Sequence, residues 1–244
     1  MKISGWNKTT LLDGYSRKVF TEIFTNKCNY RCPACHAKNL FENERDINKE
    51  LFFDYIDTNK DFFDGVVICG GEPTLELGLE DFIRRIKEKG LAVKLDTNGS
   101  NFEILENLLK KELIDYVAMD VKGPRNLYPN LVGRDFIDLR DNVEKGMNLV
   151  SMFPDYEYRT TVVPVVREDE ISFMTVAEAV DTAKFIVETT NINDHKYFLQ
   201  KFVPQEGGLL DFRLEKFPET PKGLLLEMKE AVKKYLPLVK IRGE

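Results

Sequence analysis

The sequence predicts an α/β fold, a partial (βα)6 TIM-like barrel that stays open, and three observations carry that expectation. Short β-rich runs alternate with helix-patterned segments about six times over, with no hairpin pattern between units, which implies parallel strands joined by right-handed crossovers with helices outside. The unusual polar clusters fall just after the β-rich runs, where βα folds place their ligand loops. The number of units also falls short of a closed eight-stranded barrel.

In chain order, residues 3–16 are mixed, and residues 9–14 read as a short strand or arm ending in a turn. Residues 18–25 (KVFTEIFT) alternate and are β-rich, giving the first barrel strand. From Asp46, the residues Ile47, Leu51, Phe52, Tyr55 and Ile56 predict one helical face. Residues 65–69 are an apolar run of the buried parallel kind, closed by Gly70-Gly71-Glu72-Pro73. Leu79, Phe82, Ile83 and Ile86 follow helical spacing, with Gly90 as a stop. The third strand, residues 91–95, ends in Asp96-Thr97-Asn98-Gly99, and Ser100 with Glu103 suggests a capping box for the next helix.

Residues 115–121 predict the fourth strand, and a helix is expected over 139–150. Residues 156–163 and 197–203 predict the fifth and sixth strands, each stopped by a proline, with a helix over 171–188 between them. A loop over 205–222 leads to a helix carrying Leu224, Leu225, Met228 and Val232, and to a terminal strand near 238–241. The whole chain, 1–244, reads as one domain with its core over about 18–204, followed by the terminal helix and strand over about 222–242.

Composition narrows the function classes. A formal charge of −6 argues against a nucleic-acid surface, and no apolar run is long enough to span a membrane. The start, Met1 to Trp6, lacks an apolar signal core, so the cytoplasm is the expected location. Four cysteines, three of them within eight residues, suggest a metal loop rather than a disulfide framework. Cys69 ends an apolar strand and reads as a small buried residue.

Cys28, Cys32 and Cys35 are spaced C-x3-C-x2-C directly after the first strand. Three thiolates on one loop can hold three irons of a cubane iron–sulfur cluster and leave the fourth open to a small chelating molecule. The triplet alone also admits a zinc site, which needs a fourth ligand, and His36 stands uncomfortably close to Cys35 for that role. Asp120 and Lys122 flank an apolar residue and so face the same way on a strand, where a buried Lys beside an Asp calls for a charged ligand. Arg159, Thr161 and Gln200 face either the pocket or the helices, and His195 reads as part of a solvated loop.

The cysteine triplet followed by Gly70-Gly71-Glu72-Pro73 resembles the radical S-adenosylmethionine (SAM) superfamily. With Asp96-Thr97 and Asp120-x-Lys122, the likeness narrows to the activating enzymes of glycyl radical proteins, most of all the group that activates anaerobic ribonucleoside-triphosphate reductase. The resemblance implies one [4Fe–4S] cluster on Cys28, Cys32 and Cys35, with SAM on its open iron. It implies that Gly70, Gly71 and Glu72 meet the SAM amino group and that Asp96, Thr97, Asp120 and Lys122 meet its carboxylate and ribose, while the place of Asn98 beside the expected pocket favours ligand contact. The implied chemistry is reductive cleavage of SAM to a 5′-deoxyadenosyl radical, fed by a flavodoxin- or ferredoxin-type reductant, with a glycine of a partner enzyme as target.

Alternatives are a radical SAM enzyme acting on a small molecule or RNA, and an electron-transfer or iron-sensing module that never meets SAM. No further cysteine triplet remains for a second cubane. The sequence departs from the family pattern at Ala34, where an aromatic residue is usual, and at Ala37, where an Asn commonly follows the His.

Overall fold

The structure, a computed structural model, describes residues 1–11, 18–42, 45–133, 137–168 and 170–243. β1 (Gly5–Leu11) pairs antiparallel with β2 (Val19–Thr25). The expected turn over residues 12–14 lies outside the described residues. From β2 a parallel run continues through β3 (Gly65–Gly70), β4 (Ala92–Thr97), β5 (Tyr116–Asp120) and β6 (Tyr156–Val162). A small antiparallel pair, β7 (Pro164–Arg167) and β8 (Glu170–Phe173), interrupts it. The run then resumes with β9 (Tyr197–Lys201) and ends on β10 (Lys240–Arg242). With β1 and β10 as edges the sheet does not close, and the open partial barrel is the architecture observed.

Helices α1 (Lys38–Glu42), α2 (Lys49–Thr58), α3 (Leu79–Lys87), α4 (Phe102–Lys110), α5 (Tyr128–Val132), α6 (Ile137–Val150), α7 (Val176–Thr190) and α8 (Lys222–Val232) supply the crossovers and flanks. Alternation along the strands sorts the side chains. Ile23, Val66, Ile68, Val93, Leu95 and Val117 enter the core shared with the helices, whereas Glu22, Cys69, Asp96, Asp120, Arg159 and Gln200 line an interior cavity. Buried β-branched and leucine side chains on the helix side hold the sheet, and the cavity-lining polar groups share the interior face with a small apolar cluster of Phe20, Phe24, Val67 and Cys69.

Several expectations are corrected. In α2 the buried residues are Phe52, Phe53 and Ile56, while Leu51 is 59% exposed. Phe53 is covered instead by Phe82 and by the Arg85 guanidinium 3.6 Å above its ring. The helix expected from residue 171 starts only at Val176, because residues 170–173 pair with β7 and Thr175 with Glu178 forms a capping box at the helix start. The Ser100–Glu103 box does not form: the cap of α4 is Asn101, and Ser100 donates to Asn98 Oδ1 at 2.6 Å.

His195 is buried rather than solvated, 1% exposed, with its ring nitrogens 2.8 Å from Tyr156 Oη and Thr190 Oγ1. Burial pulls its pKa down to about 4. The terminal strand takes a place of its own as β10, in register with Phe198 to Gln200 of β9.

Candidate active site

The carboxyl ends of the parallel strands surround a cavity of about 610 Å3. β2 delivers Cys28, and two neighbouring segments clamp the cysteine loop that follows. Gly71 N donates to Thr25 O at 2.8 Å and Glu72 N to Lys27 O at 2.6 Å. A Cβ on Gly71 would sit 2.2 Å from Lys27 O, so this approach of two backbones requires glycine. On the far side Arg31 N donates to Val132 O at 2.8 Å. The next residue, Gly133, has φ +65° and meets Arg31 O where any Cβ would clash.

Side chains tie the same loop to the end of β4. Asn29 donates to Ser100 Oγ at 2.7 Å and accepts from Asn98 Nδ2 at 2.9 Å. Within the loop Cys35 N donates to Cys32 O at 3.0 Å, and the amides of Tyr30 and Ala37 donate to Cys28 Sγ and Cys35 Sγ, both at 3.4 Å. The three thiols line the cavity wall. Burial raises the pKa of Cys28 and pushes Cys32 up to about 12, so thiolates held here need positive charge beside them. Among the described residues no three Cys, His, Asp or Glu side chains converge as ligands of a single metal ion.

Gly70, Gly71, Thr97 and Asn98 line the cavity, but Glu72 does not. Its carboxylate is 0% exposed and accepts from Thr74 N and Oγ1, Thr97 Oγ1 and Asn98 N, at 3.2, 2.6, 2.8 and 2.6 Å. Burial raises its pKa, and these neutral donors only partly oppose the rise. Glu72 thus joins the ends of β3 and β4. The ammonium contact that the resemblance implied for this carboxylate would have to reach a side chain with no exposed surface.

A chain of alternating charge crosses the cavity wall. Lys94 Nζ binds Asp96 Oδ1, Arg159 Nη1 donates to Asp96 Oδ2 at 2.8 Å, Arg159 Nε donates to Asp120 Oδ1 at 2.9 Å, and Lys122 Nζ donates to Asp120 Oδ2 at 3.0 Å. Burial alone would raise both carboxyls, but Arg159 and Lys94 hold Asp96 below its ordinary value, and Arg159 and Lys122 bring Asp120 down to about 2. Burial likewise opposes the charge on Lys122 and Arg159, and the carboxylates outweigh it, raising both. Asp96, Asp120, Lys122 and Arg159 are therefore ionised at neutral pH.

The structure also resolves the residues whose facing the sequence left open. Arg159, Thr161 and Gln200 all line the cavity, and so does Cys69, which is mostly buried and sits 3.4 Å from Glu22 Oε1. His36 Nε2 lies 2.8 Å from Val203 O at the cavity wall. Lys94, Asn29 and Glu22 were not singled out from the sequence. The period-two pattern of β4 carried the signal for Lys94, since it shares a face with Asp96. Asn29 carried none, because a loop side chain meets partners that only the fold brings close.

The sequence pattern of the radical SAM superfamily matches residues 23–180. A Methanocaldococcus jannaschii protein named "Putative glycyl-radical enzyme activating enzyme" is 34% identical over 98% of this chain and 95% of its own length. A Pyrococcus abyssi protein named "Probable GTP 3′,8-cyclase" is 28% identical over 66% of this chain and 53% of its own. Among solved structures, SuiB of Streptococcus suis bound to S-adenosylmethionine superposes with a TM-score of 0.65 at 16% identity, over 90% of this chain. This chain spans about half of the SuiB and cyclase chains, and at that identity the SuiB likeness bears on the fold alone. The match over residues 23–180, which takes in both the cysteine loop and the charged wall, and the near full-length relative lead to one conclusion: the chain belongs to the radical SAM superfamily of enzymes.

Proposed function

We propose that this enzyme binds one [4Fe–4S] cluster through Cys28, Cys32 and Cys35, binds SAM beside it, and generates a glycyl radical on a partner enzyme. The family implies a cluster and SAM. The donor set fits them: three thiols on one loop, two of them accepting backbone N–H bonds, with the cationic Lys122 felt by Cys28 and Cys32. Bound together, these groups supply one-electron cleavage of a carbon–sulfur bond and hence a carbon radical that abstracts hydrogen.

The chain's own residues bind and orient. Lys122 keeps N–H donors beyond the one spent on Asp120 and suits the SAM carboxylate. Asp96 and Asp120 offer lone pairs to hydroxyl or ammonium donors, and Gly70 and Gly71 bring backbone to the same wall. Thr97 and Asn98 complete that side, with Glu72 setting their position from behind. Phe24, Leu40, Phe41, Leu131 and Val163 give the wall an apolar part, which limits water around a reactive radical.

The activase reading rests on the relative matched over nearly the full length of both chains. The unclosed sheet is compatible with a polypeptide loop as substrate. The cyclase likeness favours a second reading, a small-molecule substrate. The test is to incubate reduced, cluster-loaded protein and SAM anaerobically with a glycyl radical enzyme from the same genome and record the electron paramagnetic resonance spectrum. The activase reading expects a glycine-centred radical on the partner. Consumption of SAM without any protein radical would favour the small-molecule reading.

A further inference from the structure

We propose that Arg159 is a positioning residue for SAM binding: it bridges Asp96 and Asp120 across two strands and fixes both carboxylates on the cavity wall with lone pairs left for the ligand. The proposal rests on the SAM-binding reading above and goes further by assigning a residue from the sixth strand.

The register makes the bridge possible. Arg159 of β6 pairs with Asp120 of β5, and Asp96 of β4 pairs with Ala118 of β5. All four side chains lie on one face of the sheet by the period-two rule. The small Ala118 leaves a path for the guanidinium to reach past β5 to Asp96. Arg159 Nε and Nη1 then hold one oxygen of each carboxylate, at 2.9 and 2.8 Å. A planar guanidinium sets the angle between two acceptors in a way a lysine ammonium, a rotating point charge, does not.

Each carboxylate oxygen has two lone pairs, and each here accepts one bond from Lys94, Arg159 or Lys122. What remains can accept from a ligand carrying hydroxyl or ammonium donors. Arg159 lines the cavity but is 12% exposed, less than Asp96 at 19% and Asp120 at 30%, and its guanidinium bonds go to these two carboxylates. Its contribution therefore passes through the two aspartates.

The test is a double-mutant cycle read by calorimetric titration of SAM into the cluster-loaded protein. Arg159→Met is expected to weaken SAM binding about 10–100-fold, the range for charge-assisted bonds. Arg159→Lys, which keeps the charge but not the fork, should recover only part of that loss. Combined with Asp120→Asn, Arg159→Met should cost less than it does alone, because the share of its effect that passes through the Asp120 carboxylate is already gone while the share through Asp96 remains. Additive losses, or equal affinity in Arg159→Met and wild type, would overturn the proposal. Arg159→Lys and Asp120→Asn keep the cycle readable where Arg159→Met folds poorly. If wild-type protein binds no SAM, the underlying reading fails, and the proposal fails with it.

Discussion

The two ends of the barrel interior both bury charge, but they do so differently. At the amino end of the strands Glu157 is 0% exposed and its carboxylate accepts three bonds: Arg242 donates to both oxygens at 2.7 and 2.9 Å, and Tyr116 Oη donates at 2.6 Å. The Arg242 guanidinium also lies 3.9 Å from the Phe198 ring. At the carboxyl end Asp96, Asp120 and Lys122 share partners along a chain and keep open valences toward the cavity. A paired ion sealed away from the cavity is a structural plug, whereas an ion held in place on the cavity wall with bonds to spare is a ligand site. The contrast separates groups that hold the fold from groups that do chemistry, although both are buried ion pairs.

The largest expected effect strikes the carboxyl end alone. Cys32→Ala should abolish cluster binding and SAM cleavage while leaving the circular dichroism spectrum unchanged, with iron and sulfide analysis as the check. Wild-type iron content in that variant would remove the distinction between the two ends. The amino end should respond the opposite way. Arg242→Ala leaves a buried carboxylate without its cation and should cost about 3–5 kcal/mol in urea unfolding, with little change in SAM affinity of the folded protein.

The next effect is on pH dependence. The folded-state pKa of His195 is about 4, against an ordinary 6.5, so between those values the unfolded chain takes up a proton that the folded protein refuses. Stability should therefore fall by roughly 3 kcal/mol as pH drops from 6.5 toward 4, and His195→Asn should flatten that slope. The Asp120 carboxyl is shifted the other way, to about 2 from 3.8. Its contribution is fully present above pH 3.8 and is lost only as pH falls toward 2. Acid titration of unfolding in the two variants, His195→Asn and Asp120→Asn, distinguishes the windows. The smallest effect is Lys122→Met, which should weaken SAM binding about 10-fold, near the lower end expected for losing a charged donor, and hardly shift the melting temperature.

The parts legible in the sequence are those that local spacing dictates. Leu79, Phe82, Ile83 and Ile86 are buried as their period requires, and the strand-end positions of Cys28, Asp96 and Asp120 bring them to one cavity. The parts that were not legible depend on tertiary partners. His195 lies in a polar stretch whose sequence reads as solvated, and only the packing of Tyr156, Tyr158 and Thr190 around it makes it a core residue. Glu72 sits beside two cavity-lining glycines, yet hydroxyls and amides from Thr74, Thr97 and Asn98 hold its carboxylate behind the wall. Residues 170–173 have an apolar spacing that a helix could share, and their pairing with β7 decides for strand.

The most direct test of the central claim is to load the protein anaerobically with iron and sulfide, reduce it with dithionite, add SAM and separate the products. The arrangement of the three thiols beside the Asp120–Lys122 pair predicts 5′-deoxyadenosine and methionine in equal amounts, formed only when cluster and reductant are both present. Intact SAM after full reduction of a loaded cluster would contradict the account.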